Sequence, residues 1–178
     1  MADRMDPQDE RHATEGARTV APLSAMTDLQ VAEGEPDIRG WEVVGQDRRT
    51  IGTVHDLVVD SAEMKVRYMD VEMRRAAIDA DQDRHVLIPI GYARLDEDDD
   101  RVLVNNIATT AAGSLPAYEH APITREQEAA LHQTYADASP AAGAMPEREQ
   151  DYYGHDRFDD SRFWGKRDRA AGYLQRRR

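Results

Sequence analysis

Asp60, Glu63 and Arg67 are the residues of this chain whose types and spacing could support proton chemistry. The two acids flank the turn V-D-S-A-E, and the Arg opens the apolar-rich run that follows. Three charges around one turn can form a hydrated cluster that shares protons. Like-charge repulsion and partial burial raise a carboxyl pKa, and a guanidinium lowers it. The same three residues also suit an ordinary turn carrying a surface ion pair of small energetic worth. Other chemistry finds no foothold. The serines lack a G-x-S-x-G setting, no Gly-rich loop is built to cradle phosphate, and there is no cysteine. The six histidines (His12, His55, His85, His120, His132, His155) show no H-x-x-x-H or H-E-x-x-H spacing, so no metal ligand set is expected. The acidic run Asp96–Asp100 lacks the spacing of a calcium loop and reads as a solvated hairpin. Neither catalysis nor a bound cofactor is expected of this chain alone.

The turn acids must be positioned by strands. Between Asp37 and Glu72 the chain alternates apolar and polar residues in short pieces, interrupted by Gly40, Gly45, Gly52 and Asp-containing turns. A period of two places Val54, Asp56, Val58 and Asp60 on one face of a strand, with Thr53, His55, Leu57 and Val59 on the other. In the next strand Val66, Tyr68, Asp70 and Glu72 share a face, opposite Arg67, Met69, Val71 and Met73. Asp70 and Glu72 are expected on the polar outer side, with the methionines in the core. Asp37 and Arg39 read as a structural pair fixing the first turn, and Trp41 as a core residue. Many short strands with regular turn signals predict a mainly β chain, a small antiparallel β-barrel.

Thr124 and Gln127 form a T-x-x-Q capping box, which predicts a helix from Arg125 to about Ala136 with Ala130, Leu131, Thr134 and Tyr135 near one side. Residues 1–17 read as a flexible arm, 18–36 as an extended lead-in, 37–110 as the barrel, and 111–138 as a loop and C-terminal helix. Residues 139–178 read as a linker and tail. That tail carries Tyr152, Tyr153, Phe158, Phe163, Trp164 and Tyr173 among charges, a pattern expected of anchors for a partner surface.

Net charge is −12, which disfavours nucleic acid as a partner. From Arg162 onward there are seven Lys or Arg and one acid, a balance of +6 that leaves −18 for the rest. A basic, aromatic tail on an acidic body suggests docking on an acidic protein surface or anionic headgroups. No apolar run approaches the roughly 20 residues that cross a bilayer, and the N-terminus is too polar for a secretory signal. A soluble protein, or one peripheral to a membrane through its partners, is expected.

The segment D-I-R-G-W-E-V-V-G, G-T-V-H-D-L-V-V-D-S-A-E and V-R-Y-M-D-V-E resembles a PRC-barrel, the β-rich domain of the photosynthetic reaction-centre H subunit. Val20–Gly34, Val86–Ala93, Arg101–Ile107 and Ser114–Glu128 are similar to the lead-in, later strands and helix approach of H subunits. This resemblance covers roughly residues 18 to 137. It implies a non-catalytic subunit on the cytoplasmic face of the photosynthetic membrane in a type II reaction centre. Such a subunit caps the quinone-reducing side and supports proton delivery to the secondary quinone. Glu63 then matches the family's functional Glu, with Asp60 and Arg67 beside it. Bacteriochlorophyll and quinones are expected in the partner membrane subunits, not here. Two features depart from H subunits. The expected membrane helix is missing, which implies a separate anchor polypeptide, with antenna polypeptides as further partners. The His-rich cluster of some H subunits is replaced by A-T-E-G-A (Ala13–Ala17). The alternative expectation is a soluble PRC-barrel adaptor, stress-related or RNA-processing, that binds a protein.

Overall fold

The computed structural model describes residues 19–78, 84–105, 107, 113–119, 121–138, 153–154, 156–160, 163 and 172–177. The arm at 1–17, the linker, Tyr152, Trp164 and most of the basic tail lie outside the described residues.

The chain is mainly β, as its alternation predicts. Nine strands are described: β1 (Val20–Pro22), β2 (Leu29–Val31), β3 (Glu42–Val44), β4 (Thr50–Asp60), β5 (Lys65–Met73), β6 (Arg84–Pro89), β7 (Ala93–Asp96), β8 (Arg101–Val104) and β9 (Leu174–Arg176). A short helix α1 (Arg75–Ile78) follows β5, and α2 (Arg125–Ala138) follows β8. Seven strands make one curled sheet in the order β6-β5-β4-β3-β8-β7, with β1 on β4. All its pairings are antiparallel except β3 with β8. The first strand of the lead-in is therefore part of this sheet, while β2 pairs with β9 in a separate two-stranded sheet. β1 and β3 share the edge of β4 away from β5, β1 at Val58–Asp60 and β3 at Thr50–Thr53. Gly40, at φ 91°, turns the chain into β3, and its N–H donates to the Val54 carbonyl at 2.7 Å.

The sheet curls around Val43, Ile51, Met69, Val71, Val86 and Ile88, all fully inaccessible. Trp41 is half-buried against this core. Asp37 and Arg39 do pair, Arg39 Nε donating to Asp37 Oδ1 at 2.8 Å, and the guanidinium holds the carboxyl below the usual carboxylate range. Both groups are substantially exposed, so the pair fixes geometry more than stability. Residues 97–100 form the β7–β8 hairpin loop, where Arg101 bridges to Asp96 at 3.0 Å.

α2 starts as its capping box predicts. The Thr124 N–H donates to Gln127 Oε1 at 2.9 Å, and the Gln127 N–H to Thr124 Oγ1 at 3.3 Å. Its buried stripe is Glu128, Leu131, His132 and Tyr135, the i, i+3, i+4, i+7 spacing of one helical face. Ala130, predicted on that side, is exposed. An apolar criterion passes over Glu128 and His132, which are buried because partners satisfy them, as described below.

Tyr135 is enclosed at 2% exposure and donates its hydroxyl to the Leu87 carbonyl at 2.5 Å. Burial pushes its pKa well above 10. The folded chain thus keeps this proton at pH values where the unfolded chain loses it. The contribution is complete below pH ~10 and is lost as pH rises above that value. Urea unfolding between pH 10 and 11.5 is expected to show stability falling with pH. Tyr135→Phe should flatten that slope by up to ~1.4 kcal/mol per pH unit. An unchanged slope would assign alkaline sensitivity to other groups.

Candidate functional site

The β4–β5 hairpin places two of the three predicted charges together. Asp60 ends β4 and is fully buried. Its Oδ1 accepts the N–H groups of Ala62 at 3.1 Å and Glu63 at 3.2 Å, which folds the turn around the carboxylate. Its Oδ2 accepts Arg67 Nη2 at 3.1 Å, with side-chain exposures of 5% for Arg67 and 0% for Asp60. Glu63 joins only through its backbone, and its side chain is exposed at the tip.

Two β-bulges decide which groups share a face. In β4, Val54 pairs with Val71 and Asp56 with Asp70, leaving His55 as the extra residue. In β5, Val58 pairs with Tyr68 and Val59 with Val66, leaving Arg67 as the extra residue. Each bulge resets the alternation and re-aims a side chain. The strict period-two reading is corrected accordingly. Val54 lies on the core face with Val71, Asp56 and Val58 lie on the outer face with Asp70 and Tyr68, and His55 and Arg67 move to that outer face. Contacts agree, since His55 meets His85 at 4.7 Å between ring centroids and the Arg67 guanidinium lies 4.1 Å over the Tyr153 ring.

The outer face therefore carries a polar ribbon. At one end the Tyr153 hydroxyl donates to Glu128 Oε1 at 2.6 Å, and the Tyr68 hydroxyl donates to the same oxygen at 2.9 Å. His132 Nε2 lies 3.1 Å from the Tyr68 hydroxyl. Because that hydroxyl gives its proton to Glu128, His132 Nε2 must be the donor in this pair. A directed wire results, His132 to Tyr68 to Glu128, with Tyr153 entering from the other side and Arg67 stacked on it. Phe158 closes the cluster, edge-on to Tyr68 at 5.4 Å and to Tyr153 at 4.8 Å. Further along, Asp56 and Asp70 face each other across β4 and β5, both buried. Asp56 accepts the N–H groups of Leu57 at 2.8 Å and Ser24 at 3.1 Å, and Asp70 Oδ1 lies 2.9 Å from His85 Nδ1. Tyr118 covers this end, its pKa raised by burial and then by the charges of Asp70 and Asp56. Asp70 was expected on a polar outer side; it is on the outer face but completely enclosed.

Of the tail aromatics expected to meet a partner, the four that are described pack within the chain. Phe158, Phe163 and Tyr173 are buried and Tyr153 is half-buried. The Tyr173 hydroxyl donates to the Pro36 carbonyl at 2.7 Å, and β9 pairs with β2 in register Leu29↔Arg176 to Val31↔Leu174. Phe158 packs against Tyr68 of β5 and His132 of α2, at 5.4 and 5.3 Å between ring centroids. Burying a side chain of this kind is worth about 1.5–3 kcal/mol.

Glu128, His132, Tyr68, Asp56 and His85 escape sequence reading because each acquires its role from a residue distant in the chain. The T-x-x-Q cap located α2, but nothing local marked which of its polar residues face inward. Residues 34–110 match the family model of the PRC-barrel domain. The match spans the strands from β3 to β8 and includes the Asp60–Arg67 pair. Among the described residues, no helix is long and apolar enough to cross a membrane.

Proposed function

We propose that this chain, with a PRC-barrel at residues 34–110, is a non-catalytic subunit that docks through its β4–β5 turn. Its partner would be the quinone-reducing face of a type II photosynthetic reaction centre, with the chain peripheral on the cytoplasmic side of the membrane. One observation carries this reading. The buried Asp60–Arg67 pair rigidly shapes the turn, and the Glu63 carboxylate stands exposed at its tip. Resemblance to H subunits gives an acid at that position to proton delivery. In this role the chain excludes bulk water, stabilises the assembly and offers Glu63 as a proton-transfer group with Asp60 and Arg67 behind it. Pigments and quinones belong to the membrane subunits.

Affinity-tagged protein expressed in its own host is expected to co-purify with membrane subunits that absorb in the near infrared. Glu63→Gln is expected to slow transfer of the second electron and its proton to the quinone while the complex still assembles. A colourless eluate would overturn this role.

A second reading is favoured by the closure of Phe158, Phe163 and Tyr173 onto the chain's own core. With those anchors engaged internally, the barrel suits an adaptor that binds a protein partner away from pigment. Recovery of a stable colourless complex with one protein would support it.

A further inference from the structure

His55, Glu72 and His85 stand together on the outer face of the sheet, one from each of three adjacent strands. Glu72 and His85 are directly paired across β5 and β6, and Glu72 also pairs with Thr53 of β4. His55 reaches the same spot because it follows Thr53, the partner of Glu72, by two positions and is the extra residue of the bulge. Taking one ligand atom from each residue, all three atoms lie within 4.8 Å of one another. The two imidazoles meet edge to face, with an interplanar angle of 81°.

We propose that these three side chains bind one divalent first-row transition ion of the Zn2+ class. Two imidazole nitrogens and one carboxylate oxygen form a donor set for such ions rather than for Ca2+ or Mg2+, which take oxygen ligands. Ligands about 2.0–2.1 Å from a tetrahedral ion stand roughly 3.3 Å apart, so the cluster must contract by about an ångström or more. His55 and Glu72 are both exposed, and rotation of these side chains supplies that movement without disturbing the sheet. Water completes the coordination on the open side.

Asp70 distinguishes this cluster from a chance gathering of surface groups. Its carboxylate is fully buried and holds His85 Nδ1 at 2.9 Å. With Nδ1 turned to Asp70, Nε2 is the nitrogen of His85 that coordinates. A carboxylate behind a ligating imidazole fixes its tautomer and orientation and raises its basicity. Spacing along the chain conceals the site, because the ligands come from three strands and not from one helix.

The test uses the intact chain stripped with a chelator and titrated with ZnCl2 alone, followed by calorimetry and by competition with a chromophoric chelator. One ion per chain is expected, with a dissociation constant in the micromolar range or tighter. The melting temperature should rise with Zn2+ concentration, because the ion binds the folded form. His55→Ala and Glu72→Gln, both at exposed positions, should each weaken binding at least ~10-fold and suppress the thermal shift. Asp70→Asn should weaken it by ~10–100-fold. No saturable binding below ~100 µM would overturn the site. So would an affinity unchanged in His55→Ala, which would place the ion on another histidine.

Discussion

Replacing Arg67 with Met is expected to lower the free energy of unfolding by about 3–5 kcal/mol, the range for removing one partner of a buried ion pair. Arg67 gives Asp60 its compensating charge at 3.1 Å, inside a region closed to solvent on both sides of the pair. The variant keeps the two backbone N–H groups that hold Oδ1, but they do not neutralise a carboxylate. The variant also loses the stacking of the guanidinium on Tyr153, a smaller effect of about 0.5–2 kcal/mol. Adding Asp60→Asn separates the contributions. The amide still accepts from Ala62 and Glu63 and carries no charge, so the double variant should recover a large part of the loss. Urea unfolding of the four proteins in this cycle measures the coupling. A loss under 1 kcal/mol in Arg67→Met would mean that the pair behaves as a solvated surface bridge.

Gly52→Ala is expected to cost about 3 kcal/mol or more, the upper range for forcing atoms into a packed core. A Cβ at this position would lie 2.3 Å from the Glu72 carbonyl oxygen and 2.8 Å from Val71 Cγ1. The first obstacle is backbone, so no rotamer change relieves it. Gly52 pairs with Met73 of β5 and Val43 of β3, and the strands can part only by breaking the ladder beside Glu72. Glycine serves here for close approach of two backbones. Thermal unfolding of the variant measures the loss. A Tm within a few degrees of the parent would show that the ladder can yield at that point.

Local chemistry wrote much of this fold in readable form. The capping box at Thr124 and Gln127 closes as read, because cap and helix are neighbours in sequence. The curled sheet follows from alternation punctuated by Gly and Asp. Alternation ceased to be a guide at His55 and Arg67, where one extra backbone residue shifts every later side chain to the other face. Such an insertion leaves no mark in a polarity pattern, since His and Arg suit either face. The tail aromatics were legible as groups in need of a surface, but the target of Tyr153 and Phe158 was not, because that surface is assembled from β5 and α2. Asp70 reads as an outer polar residue for a similar reason. Its enclosure comes from Tyr118 and His85, which lie on other parts of the chain.

The two-stranded ribbon of β2 and β9 has a consequence for the order of folding. Asp28 and Arg176, bonded at 2.8 Å, are 148 positions apart. During synthesis, β2 emerges well before its mate and must wait for that intervening length of chain to be made. Until then it presents unpaired amides and carbonyls, as any sheet edge does. A shortened product ending before Leu174 would keep that edge permanently open, and a neighbouring copy could lend its own final strand to fill it.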